Sequence, residues 1–199
     1  TPIIELIIEN FHDFGCRDFS LIVNHKRNMI KSYFADVEKE YEVNFVDEDE
    51  PLGTGGGLCL IKDDMKERFF FTNCDTLINA DYADIVKFHE QKGNAVTMIC
   101  AMKHFTIPYG VVELDEGGDY CRIAEKPEYN LMTNTGMYLV EPEVLAYVQD
   151  GVRQGFPDII DKCCEAGMRV GVYPIAEASW MDMGQLEELE EMRRRMEGQ

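Results

Sequence analysis

Two carboxylates follow strand-like runs in the sequence, at positions where an α/β sheet could use them to bind a ligand. Asp75 ends the run FFFTNCD (69–75), and Asp182 lies in SWMDMGQ (179–185), just after another predicted strand. Open α/β sheets bind ligands at the carboxyl ends of their strands. Two carboxylates there could share a divalent cation, because proteins usually hold Mg²⁺ by one or two carboxylates together with substrate phosphates. The plain alternatives are that Asp75 caps the helix predicted to begin near Ala80, or that it satisfies a turn.

A glycine-rich stretch, PLGTGGGL (51–58), is the second candidate, and it follows a predicted strand and precedes a predicted helix. Glycines let a backbone approach a ligand closely, and their amides can bond a planar base or a phosphate. The stretch is neither a Walker loop nor the GxGxxG dinucleotide fingerprint. A turn that caps the following helix explains it equally well. On its own, the stretch does not identify a ligand.

The adjacent charges Glu125 and Lys126, within AEKPEYN (124–130), form the third candidate. Neighbours on a strand face opposite ways, so both could serve one ligand only at a bend, which the following proline could help to impose. Lysine could then hold a phosphate and glutamate a hydroxyl, whereas the alternative is a surface turn with two solvated charges. Glycines also stand beside polar or aromatic residues in PYGVVE (108–113) and NTGMY (134–138), where tight backbone packing is the alternative reading.

The elements that would position these residues alternate along the first hundred residues. Apolar periodicity predicts helices at 2–14, 25–39, 56–65 and 81–93, and strands at 19–24, 41–46, 68–73 and 94–102. This alternation indicates a parallel sheet flanked by helices, and the three consecutive phenylalanines indicate a strand buried on both faces. The middle of the chain has strand-like runs and tight turns, which indicate β-rich pairing. The remaining predictions are helices at 141–149 and 156–166, a strand at 169–175 and a closing amphipathic helix at 184–198.

Composition narrows the class of protein. The chain has 199 residues, enough for one domain with a substantial core, and a net charge of −19. That charge argues against nucleic acid and anionic membranes as partners, because phosphate binding needs clustered lysine and arginine. No apolar stretch approaches the ~20 residues of a membrane-spanning helix, and no secretion signal is evident. The seven scattered cysteines form no CxxC pair, which favours reduced thiols in a cytoplasmic protein.

Six motifs, taken in chain order, resemble one family. They are PLGTGGGL, TNCDTL, IPYGVVE, AEKPE, NTGMYLVEPEV and WMDMGQLEE, and together they cover essentially the whole chain. They resemble the sugar-1-phosphate nucleotidyltransferases, or sugar-nucleotide pyrophosphorylases, such as bacterial glucose-1-phosphate thymidylyl- and cytidylyltransferases and mannose-1-phosphate guanylyltransferases. The resemblance implies an α/β, Rossmann-like nucleotide-diphospho-sugar transferase fold with a mixed, mainly parallel sheet flanked by helices. It implies Mg²⁺-dependent transfer of a nucleotidyl group from a nucleoside triphosphate to a sugar 1-phosphate, with release of pyrophosphate.

The resemblance also implies roles for individual residues. Asp75 and Asp182 would bind the metal, and Lys126 would hold the sugar phosphate, so these three would be the catalytic residues. The residues lining the base pocket would be Leu52, Gly53, Thr54 and Gly57. Those surrounding the sugar would be Tyr109, Gly110, Glu125, Asn134 and Thr135. No covalent protein nucleophile is needed, because the sugar phosphate attacks the α-phosphorus in line and catalysis consists mainly of positioning and charge neutralisation.

The chain departs from the family pattern in two places. The family usually has glycine before the metal-binding aspartate, and Cys74 occupies that place here, which we interpret as a tolerated variation rather than a nucleophile. Family members also open with a strand and a loop containing Gly-Thr-Arg, whereas TPIIELIIENF resembles the helix that comes later. We therefore expect residues 1–199 to form a single nucleotidyltransferase domain that lacks the family's N-terminal strand and phosphate loop.

Two other functions compete with this enzyme. A non-catalytic homologue that binds nucleotide or sugar phosphate, as a regulatory or assembly subunit, would not need the phosphate loop. A metal-dependent glycosyltransferase of related fold would need a DxD motif, which the NCDTL stretch does not supply. Retention of both aspartates and Lys126 favours the enzyme. Family members often assemble, so a homo-oligomer is compatible with the resemblance, whereas the sequence specifies neither the oligomeric state nor the base or the sugar.

Overall fold

In the computed structural model, which describes residues 2–184, the first part of the chain alternates helices and strands as the sequence predicts. It contains helix α1 (Ile3–Asp13), strand β1 (Asp18–Val23), helix α2 (Arg27–Asp36) and strand β2 (Glu42–Asp47). Strands β1 and β2 pair in parallel. Parallel neighbours require a crossover connection, and α2 supplies it.

A four-stranded sheet forms the centre of the fold. Strand β3 (Phe69–Thr72) pairs with β8 (Glu128–Val140), β8 pairs with β5 (Val96–Thr106), and β5 pairs with β9 (Val170–Ala176). Strand β8 is antiparallel to β3 and β5, and β9 is parallel to β5. Three of these four strands therefore run in one direction, although two of the three pairings are antiparallel. The sheet is mixed and is flanked by helices, which confirms the predicted α/β fold.

Helices cover both faces of the central sheet. Successive residues of a strand point to opposite faces, and β8 accordingly places Tyr138 and Val140 in one buried cluster and Met137 and Leu139 in the other. Helix α5 (Phe156–Glu165) packs into the first cluster. Helices α1 and α4 (Tyr82–Lys92) pack into the second. The core thus has two layers of apolar side chains with the sheet between them.

Several local predictions were wrong. Instead of a helix at 56–65, the chain forms a short helix α3 (Gly53–Gly56) and a 3-10 turn (Gly57–Leu60), because glycine is a poor helix former. Residues 141–149 contain a 3-10 turn rather than an α-helix. The three phenylalanines of β3 are half-buried rather than fully buried, because β3 is an edge strand of the sheet in the described part of the chain. The closing helix predicted at 184–198 lies outside the described residues apart from Gly184.

Strands β6 (Val111–Leu114) and β7 (Tyr120–Ala124) form the predicted hairpin. The turn between them is held by Asp115, whose side chain accepts hydrogen bonds of 2.9 Å from the amides of Gly117 and Asp119. The hairpin forms its own two-stranded sheet, separate from the central one. Within residues 2–184, no helix combines the length and the hydropathy that crossing a membrane would require.

A buried histidine links α4 to the central sheet. His89 is 1% exposed, with Nδ1 2.7 Å from Thr97 Oγ1 and Nε2 3.1 Å from Glu141 Oε1. Arg68 donates to the same carboxylate oxygen at 2.6 Å. Burial lowers the pKa of His89 below its ordinary value, and the hydrogen bond with Glu141 opposes that shift without reversing it. The native state therefore favours the neutral imidazole.

Acidification should destabilise the protein through His89. Between its folded and unfolded pKa values the unfolded chain binds a proton that the native state does not, so the free energy of unfolding falls as the pH drops through that range. We expect His89→Gln to lose less thermal stability than the wild type between about pH 7.5 and about pH 5.5. The exposed His25, changed in His25→Gln, is the control. Equal pH dependence in all three proteins, measured by thermal unfolding, would contradict this.

Candidate active site

A short antiparallel pair of strands brings the two predicted carboxylates together. Strand β4 (Thr76–Ile78) pairs with β10 (Trp180–Asp182), with Asp182 opposite Thr76. Beyond the end of the pair, the amide of Met183 donates to the carbonyl oxygen of Asp75 at 3.0 Å. Residues far apart in the sequence thus become neighbours through backbone hydrogen bonds alone.

The side chains of Asp75 and Asp182 converge beside Gly184. One oxygen of each lies 3.3 Å from the position that a β-carbon on Gly184 would occupy, so these two oxygens are no further apart than twice that distance. Asp75 does not cap α4, because Asp81 does so by accepting a hydrogen bond of 3.0 Å from the amide of Asp84. The helix-cap alternative for Asp75 is therefore wrong, and the two carboxylates form a pair.

A cavity of about 380 Å³ opens beside this pair. That volume lies in the range of about 300–1,000 Å³ that is usual for small-molecule sites. Besides the two aspartates, the cavity is lined by residues of α3, β3, β4, β8, α5 and β10 and by Asn73, which follows β3. The lining residues of these elements are Thr54, Phe71, Thr76, Thr133, Asn134, Thr135, Gly136, Tyr138, Phe156, Pro157 and Trp180. The predicted residues Asp75, Asp182, Thr54, Asn134 and Thr135 therefore share one cavity.

A β-bulge in β8 presents Asn134 and Thr135 to this cavity. The pairing with β5 shifts between Ile99 and Cys100, so Thr135 and Gly136 have no partner in the ladder. Thr135 Oγ1 donates to the carbonyl of Ile99 at 2.7 Å, and Thr135 is buried. The bulge therefore changes the direction of the β8 backbone at the residues that line the cavity.

Two further hydrogen bonds fix the orientation of side chains around the bulge. The amide of Gly136 donates to Asn134 Oδ1 at 3.1 Å, and Asn134 Nδ2 donates to the hydroxyl of Tyr138 at 2.6 Å. Thr76 Oγ1 donates to the carbonyl of Thr135 at 3.3 Å, which ties β4 to β8. The cavity wall is thus held by side-chain contacts as well as by the sheet.

Gly136 allows the bulge and Asn73 to approach each other closely. It has φ +83°, and a β-carbon there would lie 2.6 Å from Asn73 Nδ2. We expect Gly136→Ala to lower the free energy of unfolding by about 1–3 kcal/mol more than Gly118→Ala does. Gly118 is a matched control, because it has φ +88° with nothing within 4 Å of the added carbon. Equal losses in the two variants, measured by chemical denaturation, would contradict the close contact.

The glycine-rich stretch is anchored to the segment before α5. The amides of Gly55 and Gly56 both donate to the carbonyl of Gln154 at 3.1 Å, and the amide of Gln154 donates to the carbonyl of Leu52 at 2.9 Å. Gly53 has φ +80°, and a β-carbon there would lie 2.8 Å from the same Gln154 carbonyl oxygen. Close backbone packing therefore accounts for glycine at these positions.

Four residues were predicted to line a base pocket. Among the described residues that line the cavity, Thr54 is the one that belongs to this set. Its hydroxyl accepts a hydrogen bond of 3.3 Å from the amide of Phe156. Leu52, Gly53 and Gly57 lie outside that lining. A β-carbon on Gly57 would lie 3.0 Å from Glu48 Oε1, so this glycine packs against another part of the chain.

The other predicted sugar-site residues gather at the base of the β6–β7 hairpin. Glu125 Oε2 lies 3.0 Å from the β-carbon position of Gly110, and Tyr109 is 73% exposed. Lys126 is exposed and has φ +45°, a left-handed conformation that bends the chain beside Glu125 and is compatible with a shared ligand as well as with a surface turn. None of these four residues is among the described residues that line the cavity.

Several cavity residues were not predicted from the sequence. Trp180 stands two positions before Asp182, and residues two apart on a strand share a face, so this spacing was an available signal. Asn73 has the same spacing from Asp75. Phe156 and Pro157 reach the cavity through the packing of α5, for which the local sequence carries no signal.

The paired carboxylates suit Mg²⁺, which prefers hard oxygen ligands. Within residues 2–184, no cluster of three or more histidine, cysteine, aspartate or glutamate side chains could hold a metal ion. Asp75 and Asp182 would thus need other oxygen ligands, such as phosphate or water, to complete the shell, which is the usual arrangement for Mg²⁺. The donor set therefore fits this ion.

Cys74 is poorly suited to act as a nucleophile. Desolvation raises the pKa of its thiol, and the negative charge of the neighbouring Asp75 raises it further. The thiolate is the reactive form of cysteine, and both effects disfavour it. Cys74 therefore gives no indication of a covalent intermediate at this site.

Comparison with known proteins identifies relatives over the whole chain. Residues 1–199 match the family model described as "Nucleotidyl transferase". The chain is 31% identical to a UTP–glucose-1-phosphate uridylyltransferase of Synechocystis sp., over 93% of this chain and 53% of that protein. It is 29% identical to a probable mannose-1-phosphate guanylyltransferase of Oryza sativa subsp. japonica, over 92% and 53%. The chain thus spans about half the length of the curated relatives it matches.

A solved structure, HddC from Yersinia pseudotuberculosis, has a similar fold. It matches with a TM-score of 0.67 at 22% identity, over 92% of this chain and 80% of that one. The same protein complexed with GMP-PN gives a TM-score of 0.66 at 20% identity. At this level of identity, the likeness establishes the fold.

Proposed function

The chain belongs to the nucleotidyl transferase family, and on that basis we propose that it transfers a nucleotidyl group from a nucleoside triphosphate to a sugar 1-phosphate. The products would be a nucleoside-diphosphate sugar and pyrophosphate. The observation that carries this proposal is the pairing of Asp75 with Asp182 on the wall of a cavity. The named relatives support it, because uridylyl- and guanylyltransferases of sugar 1-phosphates are among them.

The proposed reaction requires the protein mainly to position two anionic substrates. Asp75 and Asp182 would hold Mg²⁺, and this ion, when bound, would neutralise the charge on the reacting phosphates. Thr76 supports the arrangement, because its hydroxyl lies between Asp75 Oδ1 at 3.5 Å and the carbonyl of Thr135 at 3.3 Å. This contact favours a fixed orientation of the Asp75 carboxylate, which reduces the reorganisation needed when the substrates arrive.

The remaining roles follow the positions of the residues around the cavity. Asn134 and Thr135 would contact the sugar directly, since both line the cavity. Tyr109, Gly110 and Glu125, near the hairpin base, would reach the sugar from outside the lining. Lys126 would hold the sugar phosphate. The residues proposed to contact the base are Leu52, Gly53, Thr54 and Gly57.

The proposal extends to the location and assembly of the protein. All seven cysteines are free thiols, which supports a reducing compartment such as the cytoplasm. Assembly into a homo-oligomer belongs to the same proposal, because members of this family often assemble. Analytical ultracentrifugation of the natural protein would test the oligomeric state.

The direct test is Mg²⁺-dependent release of pyrophosphate. The 199-residue chain, and any longer natural protein of which it is a part, would be assayed with the four common nucleoside triphosphates and a panel of hexose 1-phosphates. We expect release with one preferred pair and none after chelation of the metal. No release from the full-length protein with any pair would reject the proposal.

A non-catalytic binding subunit is the second candidate. The observation that favours it is that the amides of Gly55 and Gly56 are already hydrogen-bonded within the protein, so they do not form an open phosphate cradle. Calorimetry separates the two functions. Binding of a nucleotide or sugar phosphate without turnover of any substrate pair would support the second.

A further inference from the structure

Trp180, the single tryptophan of the chain, forms one wall of the cavity. The ammonium group of Lys103, on β5, lies 4.4 Å from the centroid of its ring. A cation at this distance from an indole face is held by the electrostatic attraction of the ring. A residue of the cavity wall, two positions before Asp182, is therefore in contact with a positive charge that none of the sequence motifs indicated.

The strand register places Lys103 on the face of the sheet that meets the cavity. Lys103 pairs with Leu131, and Ala101 pairs with Thr133, a residue of the cavity wall. Side chains two positions apart on a strand share a face, and so do directly paired residues. Lys103 therefore shares its face with Thr133. This placement is independent of the contact with Trp180. Lys103 is not itself among the described residues that line the cavity, and both observations place it next to residues that do, Thr133 and Trp180.

The contact with Trp180 leaves the charge of Lys103 uncompensated. Other lysines of this acidic chain form ion pairs, such as Lys31 with Asp47 at 2.7 Å. Within the described part of the chain, Lys103 pairs with no carboxylate. An aromatic ring positions a cation without neutralising it. Lys103 is thus oriented and still able to bind an anion.

We propose that Lys103 binds a pyrophosphate-type group of the ligand in this cavity, and that in the ligand-free protein Trp180 positions its ammonium beside the cavity wall. The inference rests on the proposed function, which supplies a phosphate-bearing ligand. It assigns the role to a residue outside the sequence motifs. An ammonium that donates to a phosphate oxygen forms a charge-assisted hydrogen bond, which is about twice as strong as a neutral one.

Trp180 also provides the means to test the inference. Its indole Nε1 is buried and, among the residues the structure describes, has no hydrogen-bond partner. The ring is therefore held by packing against its apolar neighbours and by the contact with Lys103. An anion that draws the ammonium off the ring changes the surroundings of the only tryptophan, so its fluorescence should report binding.

The experiment is a titration with inorganic pyrophosphate in the presence of Mg²⁺, followed by fluorescence and by calorimetry. We expect Lys103→Met to bind about tenfold more weakly than the wild type, or worse, because a hydrogen bond with a charged group is lost. Lys92→Met is the matched control, since Lys92 Nζ lies 5.8 Å from the centroid of the Phe88 ring. This variant also removes a lysine charge from a contact with an aromatic ring, and it should bind pyrophosphate as tightly as the wild type does.

Two further measurements separate anion binding from a merely structural role. Lys103→Arg should restore most of the affinity, because arginine keeps the charge and also stacks on aromatic rings. Added salt should weaken binding more steeply in the wild type than in Lys103→Met. Salt screens the attraction between the Lys103 ammonium and the anion, and this attraction is absent from the variant. Restoration of binding by a neutral side chain such as Lys103→Gln would contradict both expectations.

The inference is overturned if the wild type does not bind pyrophosphate in the calorimeter, or if Lys103→Met binds it as tightly as the wild type. Nucleotidyl transfer is measured separately, so failure of the proposed function remains distinguishable. Lys103-dependent binding in a full-length protein without transferase activity would reject that function and retain the anion site. Transfer in a protein whose pyrophosphate affinity does not depend on Lys103 would reject the anion site alone.

Discussion

Replacing Asp75 or Asp182 by asparagine should reduce the turnover number of nucleotidyl transfer by about a hundredfold to a thousandfold. The two side chains point to the same spot beside Gly184. Asparagine keeps the size of the side chain and removes the negative charge that a hard divalent cation requires. The affinity for sugar 1-phosphate should change far less, because that substrate is proposed to contact other residues. Steady-state kinetics on the full-length protein, with Mg²⁺ varied, measures both quantities.

Asp64→Asn is the control for this prediction, because Asp64 is an exposed carboxylate outside the cavity lining. It should leave the kinetics unchanged. Calorimetric titration with Mg²⁺ provides a readout that does not depend on turnover, and both cavity variants should bind the ion more weakly. If either variant turns over at close to the wild-type rate, its aspartate is not a ligand of the metal.

The sequence was informative where a local pattern determines the structure. The sequence placed Asp75 and Asp182 after predicted strands, and the structure brings them together through a separate pair of short strands, β4 and β10, that was not predicted. Lys126 has a positive φ, so the chain bends there, as sharing one ligand between Glu125 and Lys126 would require, although a surface turn would bend in the same way. The local pattern thus located these residues, whereas the meeting of Asp75 and Asp182 depends on pairing between distant segments.

The rest could not be predicted because it depends on contacts between distant segments. The shift between Ile99 and Cys100 that presents Thr135 is a property of the β5–β8 ladder, not of either strand alone. The half-buried phenylalanines of β3 reflect its edge position in the sheet, which an apolar run does not reveal. Lys103 meets Trp180 across strands that are far apart in the sequence, so neither residue stood out.

Lys126→Ala should raise the KM for sugar 1-phosphate by about tenfold to a hundredfold, because it removes a hydrogen bond with a charged group. Turnover should also fall, because the phosphate oxygen that attacks would be held less firmly. Lys66→Ala, which removes another exposed lysine, is the control and should leave both constants unchanged. An unchanged KM in Lys126→Ala would remove this lysine from the phosphate site.

The double variant Lys103→Met/Lys126→Ala tests how the two lysines share the substrates. If Lys103 binds the pyrophosphate group and Lys126 the sugar phosphate, the changes in transition-state free energy should add within about 0.5 kcal/mol, because the two sites are independent. A smaller combined loss would mean that both lysines act on one phosphate. Suppose that the KM for sugar 1-phosphate is normal in Lys126→Ala and raised in Lys103→Met. The sugar phosphate is then bound by Lys103 rather than by Lys126, and Lys126 has only a structural role at the bend.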